Sequence, residues 1–307
     1  MKILITGGAG FQGSHLLEHL LPGNHHITIL NTYSEIAARN ISLLCKDINC
    51  VWGSITDPEI VEKTIRGQDV IVHMAARIHV GESINNPSAF IETNVKGTLN
   101  ILEAMRNANS KAPSLIYWST CEVYGAPLQG KLSECSELRP QSPYAASKAA
   151  ADRLCYAYYK TYGLNITIVR PFNIFGERQK IGVGGAVIPT FVEQAMNNQP
   201  LTISGSGKQT RDYLNVKDVI RAFDIILQNK NLSGQTINFA TGINTSILEI
   251  ARYIAKKFNT KIIHTSPRPG EVIAFPADCH KAKSLGFRPS IPIWEGIDNY
   301  INWRLQK

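Results

Sequence analysis

The stretch KILITGGAGFQGSHLLEHL, residues 2–20, decides the fold of this chain. Its first five residues form a short apolar run that leads straight into four glycines, and apolar side chains at helical spacing follow from Ser14. A strand, a glycine-rich turn and a helix in this order suit a dinucleotide, because the turn lets backbone amides approach a pyrophosphate at the helix N-terminus. The turn therefore predicts a cofactor site formed by Gly7, Gly10, Phe11, Gln12 and Gly13.

Further apolar runs rich in Ile and Val recur along the chain with helical patterns between them: HITIL (26–30), VIVHMA (70–75), SLIYWS (114–119), NITIVRP (165–171) and QTINFA (235–240). Short continuous apolar runs are typical of strands buried on both faces, as in a parallel sheet covered by helices. Helix starts are indicated at Asp57-Pro58-Glu59 and at Ser142-Pro143, where an alanine-rich segment begins that ends near Gly163. The predicted fold class is α/β, a Rossmann-like doubly wound parallel sheet.

The texture of the sequence changes after Arg170, where glycine-rich turns separate shorter elements. We therefore predict two domains. A dinucleotide-binding Rossmann domain covers residues 1–172 and about 214–241, and the strand near 235–240 returns to the main sheet. A smaller C-terminal α/β lobe, which binds the substrate, covers about 173–213 and 242–307.

The composition excludes several classes of protein. The net charge of +8 comes from Lys and Arg scattered singly, which argues against nucleic-acid binding and suits a small anionic ligand. The six cysteines form no CxxC pair and no metal-ligand spacing, so we expect neither a disulfide framework nor a metal site. No apolar run reaches the roughly 18 residues of a membrane helix, and glycines interrupt the first run too early for a signal peptide. We expect a cytoplasmic protein without a membrane partner.

Tyr144 and Lys148 stand four residues apart on the helix that Ser142 opens, and hence on one face of it. A tyrosine with a pKa of about 10 is a poor base at neutral pH, but a nearby ammonium stabilises the phenolate and lowers that pKa. Tyr144 would then be a usable base. An ordinary surface pair has the same spacing, so the pair alone leaves both interpretations open.

Several motifs occur together in one order: the GxxGxxG spacing, STCEVYG (119–125), SPYAASK (142–148) and RPFNIFG (170–176). In this order they resemble the NDP-sugar epimerases and dehydratases of the extended short-chain dehydrogenase/reductase family. The resemblance covers essentially the whole chain, since three further stretches match: NVKGTLNILEA (94–104), SGSGKQTRDYLNVKDV (204–219) and RPGEV (268–272). It implies an enzyme that binds a nucleotide-diphosphate sugar and forms a homodimer through the helices after Asn94 and Ser142.

The resemblance also implies the cofactor. The family usually has a carboxylate at the end of the second strand to bind the adenosine ribose, whereas this chain has Asn31. An amide can hydrogen-bond a ribose hydroxyl but does not repel a 2′-phosphate as a carboxylate does. We predict NAD rather than NADP, with Arg39 as a phosphate partner in the second case. The other cofactor-binding positions implied are Ser54, where the family usually has Asp near the adenine, Ile55, Ala75, Ala76 and Lys148.

By resemblance, Thr120 is the hydroxyl partner of Tyr144 and Lys148 in catalysis. Tyr144 would take the proton from a sugar hydroxyl while NAD⁺ takes the hydride from the same carbon, which gives a 4-keto sugar. Arg211 and Arg268 match arginines that contact the diphosphate, and Asn173 matches an asparagine that contacts the substrate. Other substrate-binding positions implied are His79 and Ser83, in a pattern AAxxHVxxS common in dehydratases, and Glu271.

The residues beside Thr120 bear on the reaction. A 4-epimerase needs no further acid or base, whereas a dehydratase needs a base for the C5 proton and an acid for the departing oxygen. Glu122 suits the base, and the thiol of Cys121, with an ordinary pKa near 8.5, suits the acid. STCEVYG resembles both 4,6-dehydratases and UDP-GlcNAc 5,6-dehydratases, and a bend at the strand end would be needed to aim these side chains at one ligand.

Other functions remain open at this point. Cysteine often only fills a gap in a core, and Glu-Val-Tyr-Gly also occurs in NDP-glucuronate decarboxylases and in some epimerases. We predict a dehydratase, with a 4-epimerase and then a decarboxylase as alternatives. A regulator that binds NAD(H) without catalysis is a further alternative, although it would have little reason to keep Thr120, Tyr144 and Lys148 together.

Overall fold

The structure is a computed structural model that describes residues 1–108, 112–181, 185–267 and 272–306. It divides into two compact units. The first contains residues 1–123, 142–170 and 220–237, and the second contains residues 124–141, 171–219 and those from 238 onward. The sequence-based division placed residues 124–141 in the dinucleotide domain instead. The N–H of Leu132 donates to Pro276 O at 2.7 Å, which ties this segment to the second unit.

The strands lie along the described residues as follows: β1 Lys2–Thr6, β2 His26–Asn31, β3 Asn49–Trp52, β4 Val70–His73, β5 Ser114–Trp118, β6 Ile166–Pro171, β7 Asn173–Phe175, β8 Leu201–Ser204, β9 Thr210–Asn215, β10 Thr236–Phe239, β11 Asn244–Ser246 and β12 Ile262–Thr265.

The α-helices of the same ranges are these: α1 Phe11–Leu20, α2 Glu35–Asn40, α3 Pro58–Ile65, α4 Val80–Asn85, α5 Pro87–Phe90, α6 Gly97–Arg106, α7 Pro143–Tyr162, α8 Val187–Met196, α9 Val216–Gln228, α10 Ile247–Phe258, α11 His280–Ser284 and α12 Ile293–Leu305. Short 3₁₀ helices lie at Leu21–Gly23, Cys121–Tyr124 and Lys230–Leu232, and a π-helical segment, Ile91–Lys96, joins α5 to α6.

Among the described residues the main sheet has seven strands in the order β10-β6-β5-β4-β1-β2-β3. The pairs from β6 to β3 are parallel, and the predicted doubly wound fold is confirmed. The strand β3 escaped prediction because its four residues, NCVW, make no distinct apolar run. The strand order changes direction between β1 and β4, and in such sheets ligands bind outside the carboxyl ends of the strands at that point.

Local signals in the sequence account for the ends of the helices that flank this sheet. The side chain of Asp57 accepts hydrogen bonds from the N–H groups of Glu59 and Ile60, so it caps α3 as predicted. Ser142 caps α7 in the same way through the N–H of Ala145, and Gly163 ends that helix at a φ of +67°, where glycine is favoured. The predicted helix over the SPYAASK motif is therefore confirmed.

The second unit has small sheets of its own. Within the described residues, β9 lies between β11 and β7 in one sheet, and β12 pairs with β8 in another. Helices α8, α10 and α12 pack a hydrophobic core around Phe191, Ile254 and Ile297. No helix in the described part of the chain has the length and apolar character needed to cross a membrane.

Candidate functional site

The glycine turn after β1 leaves no room for side chains. A Cβ on Gly13 would lie 2.3 Å from Gly7 O, and one on Gly7 would lie 2.8 Å from Ala75 N. Gly10 is the N-cap of α1, and among the described residues no side chain caps the helix and no acid stands in its first turn. The N–H groups at this helix end can therefore bind an anion that approaches the turn closely.

Neighbouring side chains hold the turn in place. Asn31, at the end of β2, accepts a hydrogen bond from Ala9 N at 3.2 Å and donates to Thr32 O at 2.7 Å. Asn40 donates to Ala9 O at 3.0 Å. Asn31 thus braces the turn, and its predicted contact with the ribose remains a prediction. Arg39, on α2, is exposed to solvent.

Gln12 and Phe11 occupy the first turn of α1, and both are half-buried. The side chain of Gln12 accepts a hydrogen bond from Trp118 Nε1 at 2.7 Å, so its side chain links α1 to β5. Phe11 packs edge-on against His15, with ring centroids 5.9 Å apart. Any contact of these two residues with a pyrophosphate would use their backbone N–H groups.

The other predicted cofactor positions lie at the carboxyl ends of β3 and β4. The Ser54 hydroxyl pairs with Thr56 Oγ1 at 2.8 Å, while Ile55 is buried and its carbonyl accepts from Asn100 Nδ2 at 2.9 Å. Ala75 N donates to Thr6 Oγ1 at 3.2 Å, which holds Ala75 against Gly7; Ala76 follows and is half-buried. This glycine turn, its uncapped helix end and these short side chains fit a dinucleotide.

The strand β5 ends in the bend that the motif STCEVYG requires. Ser119 N donates to Val169 O at 2.7 Å, and the chain then turns into the 3₁₀ helix Cys121–Tyr124. The N–H of Glu122 donates to Thr120 Oγ1 at 3.3 Å. Cys121 is only 2% exposed, whereas Thr120 and Glu122 are half-buried. The bend places three different functional groups next to the start of α7.

Tyr144 lies in the first turn of α7 and is 8% exposed. The Thr120 hydroxyl lies near enough to this phenol to act on its pKa, so the structure places these two predicted catalytic residues side by side. Burial raises the pKa of Tyr144, and the nearby charge of Glu122 raises this pKa further, while the Thr120 hydroxyl lowers it. The predicted lowering of this pKa is therefore wrong for the protein in this structure.

The position of the Lys148 ammonium explains why the pKa of Tyr144 is not lowered. This ammonium donates to Trp118 O at 2.7 Å and lies 4.5 Å from the centroid of the Tyr117 ring, so it is held by β5. Burial lowers the pKa of Lys148 to about 8, while Cys155 and Asp152 act in the opposite direction. The helix places Lys148 on the same face as Tyr144, but its ammonium is bound to the main chain.

A buried polar network behind the site was missed by the sequence analysis. Asn94, in the π-helical segment, accepts from Arg77 N at 2.8 Å and donates to Ser147 Oγ at 2.9 Å. Ser147 in turn donates to Tyr144 O at 2.7 Å. The network joins the loop after β4 to the catalytic helix. Asn94 and Ser147 both lie in quoted motifs, NVKGT and SPYAASK, and that position was the available signal.

His79 and Ser83 differ in their access to a ligand. His79 caps α4, because its Nδ1 accepts from Glu82 N at 2.8 Å, and the proton of a neutral ring is then on Nε2. Ser83 has 0% exposure, and its hydroxyl donates to Val80 O at 2.6 Å. The Ser83 side chain thus braces α4, and its predicted contact with the substrate remains a prediction.

The predicted substrate residues of the second unit lie on two paired strands. Asn173 starts β7 and donates to Asp212 O at 3.5 Å, while Arg211 on β9 donates to Thr210 O at 2.9 Å. The guanidinium of Arg211 stacks on the Phe275 ring at 4.9 Å from its centroid. Two further predicted residues, Arg268 and Glu271, lie outside the described residues.

Comparison with known proteins shows the family. The family model for GDP-mannose 4,6 dehydratase matches residues 4–300. A putative UDP-glucose 4-epimerase from Methanocaldococcus jannaschii is 36% identical over 305 residues, which cover 98% of this chain and 97% of that protein. A dTDP-glucose 4,6-dehydratase from Streptomyces niveus is 33% identical over 317 residues, covering 99% and 92%.

A solved structure is similar along the whole chain. It is the dTDP-glucose 4,6-dehydratase DesIV from Streptomyces venezuelae with NAD and TYD bound, which has a TM-score of 0.92 and 31% identity. The match covers 100% of this chain and 98% of that one. The glycine turn and the Thr120–Tyr144 pair thus lie in a chain that belongs to the extended short-chain dehydrogenase/reductases, among the NAD-dependent epimerases and dehydratases of nucleotide sugars.

Proposed function

We propose that this protein is an NAD-dependent dehydratase of a nucleotide-diphosphate hexose, of the 4,6- or 5,6-type, that acts through a 4-keto intermediate. The observation that carries the proposal is the charge of Glu122 beside the Tyr144 phenol, at a bend that also holds Thr120 and Cys121. A carboxylate next to the catalytic phenol opposes its ionisation, so it is a cost to a simple epimerase. A dehydratase needs that carboxylate.

Each residue has one task in this reaction. Tyr144 takes the proton of the sugar C4 hydroxyl, and Thr120 hydrogen-bonds the same oxygen. Glu122 removes the C5 proton, which the C4 ketone acidifies, and Cys121 protonates the departing oxygen. NAD, when bound at the glycine turn, supplies the hydride acceptor. We assign the turn residues, Asn31, Ser54, Ile55, Ala75, Ala76 and Lys148 to its binding, and His79, Asn173, Arg211, Arg268 and Glu271 to the sugar nucleotide.

The main alternative is a 4-epimerase, since one relative at 36% identity is a putative UDP-glucose 4-epimerase. A UDP-glucuronic acid decarboxylase 1 from Xenopus tropicalis, at 32% identity, favours decarboxylation as the next candidate. A regulator that binds NAD(H) without chemistry is the non-enzymatic alternative. The family also suggests a homodimer, and Asn31 leaves NADP as a second cofactor for the turn.

Incubation with UDP-, dTDP-, GDP- and CDP-sugars, UDP-glucuronate among them, in deuterated water, followed by NMR of the products, distinguishes these functions. A 4,6-dehydratase returns a solvent proton to C5 and so incorporates deuterium there, and a 5,6-dehydratase gives a 5,6-alkene. Simple 4-epimerisation gives neither. Glu122→Gln should reduce elimination by at least about 100-fold and leave formation of the first ketone intact, because a general base contributes on that scale. Glu62→Gln removes the same charge from an exposed pair with Arg66 and serves as the control.

Each outcome of this experiment indicates a different function. An epimerised product without deuterium would replace the dehydratase by an epimerase, and loss of the sugar carboxyl carbon from a glucuronate substrate would indicate a decarboxylase. Unchanged elimination in Glu122→Gln would overturn the base assignment. No reaction with any hexose, together with tight NADH binding, would favour the regulator.

A further inference from the structure

A buried ion pair lies one helical turn beyond Lys148. Asp152, on α7, is 0% exposed, and its carboxylate accepts from Arg170 through Nε at 2.9 Å and through Nη2 at 2.8 Å. Arg170, on β6, is 1% exposed. Arg153 approaches the same carboxylate with its Nε at 3.1 Å. Burial alone would raise the pKa of Asp152, but these two arginines hold it below its ordinary value, so the group is a carboxylate.

The ion pair also holds the end of β5. Ser119, the residue before Thr120, donates its hydroxyl to Asp152 Oδ2 at 2.7 Å. The backbone N–H of Ser119 donates to Val169 O, and Arg170 is the next residue on β6. One carboxylate thus joins three elements: the helix that carries Tyr144 and Lys148, the strand end that carries Thr120, and β6.

The same carboxylate is the nearby anion for Lys148. The titratable groups that act on Lys148 or contact it are His73 on β4, Tyr117 on β5, and Asp152 and Cys155 on α7, with Tyr144 one turn before it on the same helix. Burial lowers the pKa of His73 to about 3, so this ring is neutral at pH 7.

The remaining groups near Lys148 are also neutral. Burial raises the pKa of Cys155 and of both tyrosines above their ordinary values, so the thiol and the phenols are uncharged at pH 7. Among these groups Asp152 carries the negative charge. Cys155 and Asp152 both raise the pKa of Lys148 against the effect of burial, and of these two Asp152 is the carboxylate.

We propose that Asp152 is a positioning residue of the active site: paired with Arg170, it fixes the Thr120 strand end against α7 and keeps Lys148 an ammonium. The proposal rests on the proposed Tyr144–Lys148 site but not on whether the product is dehydrated or epimerised. A purely structural ion pair would stabilise the fold without any effect on Lys148.

Two variants that break the same pair separate these roles. Asp152→Asn removes the anion, so the pKa of Lys148 should fall below its wild-type value. Arg170→Gln breaks the same ion pair but leaves the Asp152 carboxylate in contact with Ser119 and Arg153, so the pKa of Lys148 should not fall. If Asp152 had only a structural role, the two variants would have the same effect on the pKa of Lys148. Asp152→Glu retains the charge and should restore the wild-type titration.

The readout is the ¹³Cε resonance of Lys148 against pH in protein labelled with [¹³C]lysine, assigned with Lys148→Met. It does not depend on turnover, so it remains interpretable if no substrate is found. In the wild type the resonance should titrate near pH 8. Where a substrate is known, Asp152→Asn should also lower the rate of hydride transfer more than tenfold at pH 7.5, with KM changed less than about twofold.

Asp218→Asn is the control for loss of a buried carboxylate elsewhere, because Asp218 accepts from Ser290 N and Ile291 N at 3.0 Å in the second unit. It should lower thermal stability and leave Lys148 unchanged. If Asp152→Asn does not fold, the double variant Asp152→Asn with Arg170→Gln removes the uncompensated arginine and carries the same test. An unchanged Lys148 titration in Asp152→Asn would overturn the proposal. So would a fall of the Lys148 pKa in Arg170→Gln that equals the fall in Asp152→Asn.

Discussion

The Thr120 hydroxyl lies beside the Tyr144 phenol and lowers its pKa, whereas burial and Glu122 raise that pKa. Thr120→Val removes the hydroxyl while keeping the shape of the side chain, so the phenol should become harder to ionise. The acid limb of the pH profile of hydride transfer should therefore move to higher pH, and the rate at pH 7 should fall at least about tenfold. The measurement is the initial rate of NADH formation between pH 6 and 10.

Thr120→Ser keeps the hydroxyl and is the matched control for this variant. Its pH profile should follow that of the wild type. A Thr120→Val profile that coincided with the wild type would show that the hydroxyl contributes nothing to the ionisation of Tyr144.

His73 makes stability depend on pH. Its ring lies between Thr6 Oγ1 at 2.7 Å and Thr98 Oγ1 at 2.9 Å, and its pKa in the folded protein is about 3. An unfolded histidine has a pKa of about 6.5, so between these values the unfolded state binds the proton first. The free energy of unfolding should therefore fall by about 1.4 kcal/mol per pH unit below pH 6.5 on account of His73.

His73→Gln removes this titration. It should reduce stability at pH 7, but the further loss from pH 7 to pH 5 should be smaller than in the wild type by about 2 kcal/mol, measured by urea unfolding. His264→Gln, at an exposed histidine, should retain the wild-type difference between the two pH values. An identical loss in His73→Gln and the wild type would contradict a neutral buried ring.

Individual residues were predictable where a motif fixes their neighbours along the chain. Tyr144 and Thr120 are an example: the motifs predicted that they lie together, and the Thr120 hydroxyl lies near enough to the phenol to lower its pKa. The partner of the Lys148 ammonium and the Asp152–Arg170 pair were not predictable, because each contact joins distant elements across the sheet. The raised pKa of Tyr144 follows from burial, which a sequence does not display.

Among the elements, the glycine turn after β1 has narrow steric limits. A Cβ at Gly13 would lie 2.3 Å from Gly7 O and 2.7 Å from Gly8 Cα, and both are main-chain atoms that cannot give way cheaply. Gly13→Ala should therefore push α1 away from β1, lower stability, and weaken NADH binding at least about tenfold, since the pyrophosphate depends on that helix end. Fluorescence titration with NADH measures the affinity.

Gly67→Ala is the control for a side chain at a positive φ without a steric clash. Gly67 has a φ of +75°, and a Cβ there would meet nothing within 4 Å. We expect a loss of about 1 kcal/mol in stability from the positive φ and an unchanged affinity for NADH. Equal affinities in both variants would mean that the turn does not hold the cofactor.

Elements were predictable from sequence where they carry a cap or an unbroken apolar run, as α7 does between Ser142 and Gly163. The edge strand β3 has no such run, and its pairing with β2 is what makes it a strand. The 3₁₀ helix at Cys121–Tyr124 could be inferred as a required bend but not as a helix, since its form depends on where β5 stops.

At the scale of the whole molecule, the division into two units depends on long-range hydrogen bonds that no local pattern reveals. Residues 124–141 lie between two segments of the first unit in sequence, yet Tyr124 donates to Asn238 Oδ1 at 2.7 Å within the second unit. The sequence located the change of texture after Arg170 but not this exchange of a segment.

The family expectation of a homodimer can be tested on α7. Ala146, Ala150 and Ala157 on this helix are exposed to solvent, and small side chains let a second helix approach closely. Ala150→Glu would bury a charge in such a helix pair, so the protein should sediment as a monomer at micromolar concentration. Lys256→Glu, an exposed change on α10, should not alter the sedimentation coefficient. A dimer that persisted in Ala150→Glu would place the contact elsewhere.

The π-helical segment Ile91–Lys96 has a consequence for how this gene can change in length. A π-turn holds one more residue than an α-turn. Deletion of a single codon in that segment would close the wide turn to ordinary helix and swing everything before it by about 100° around the axis. Phe90, whose ring meets that of Tyr144, would then face another direction. Natural variants that lose one amino acid here should be rarer than those that lose one in an exposed loop.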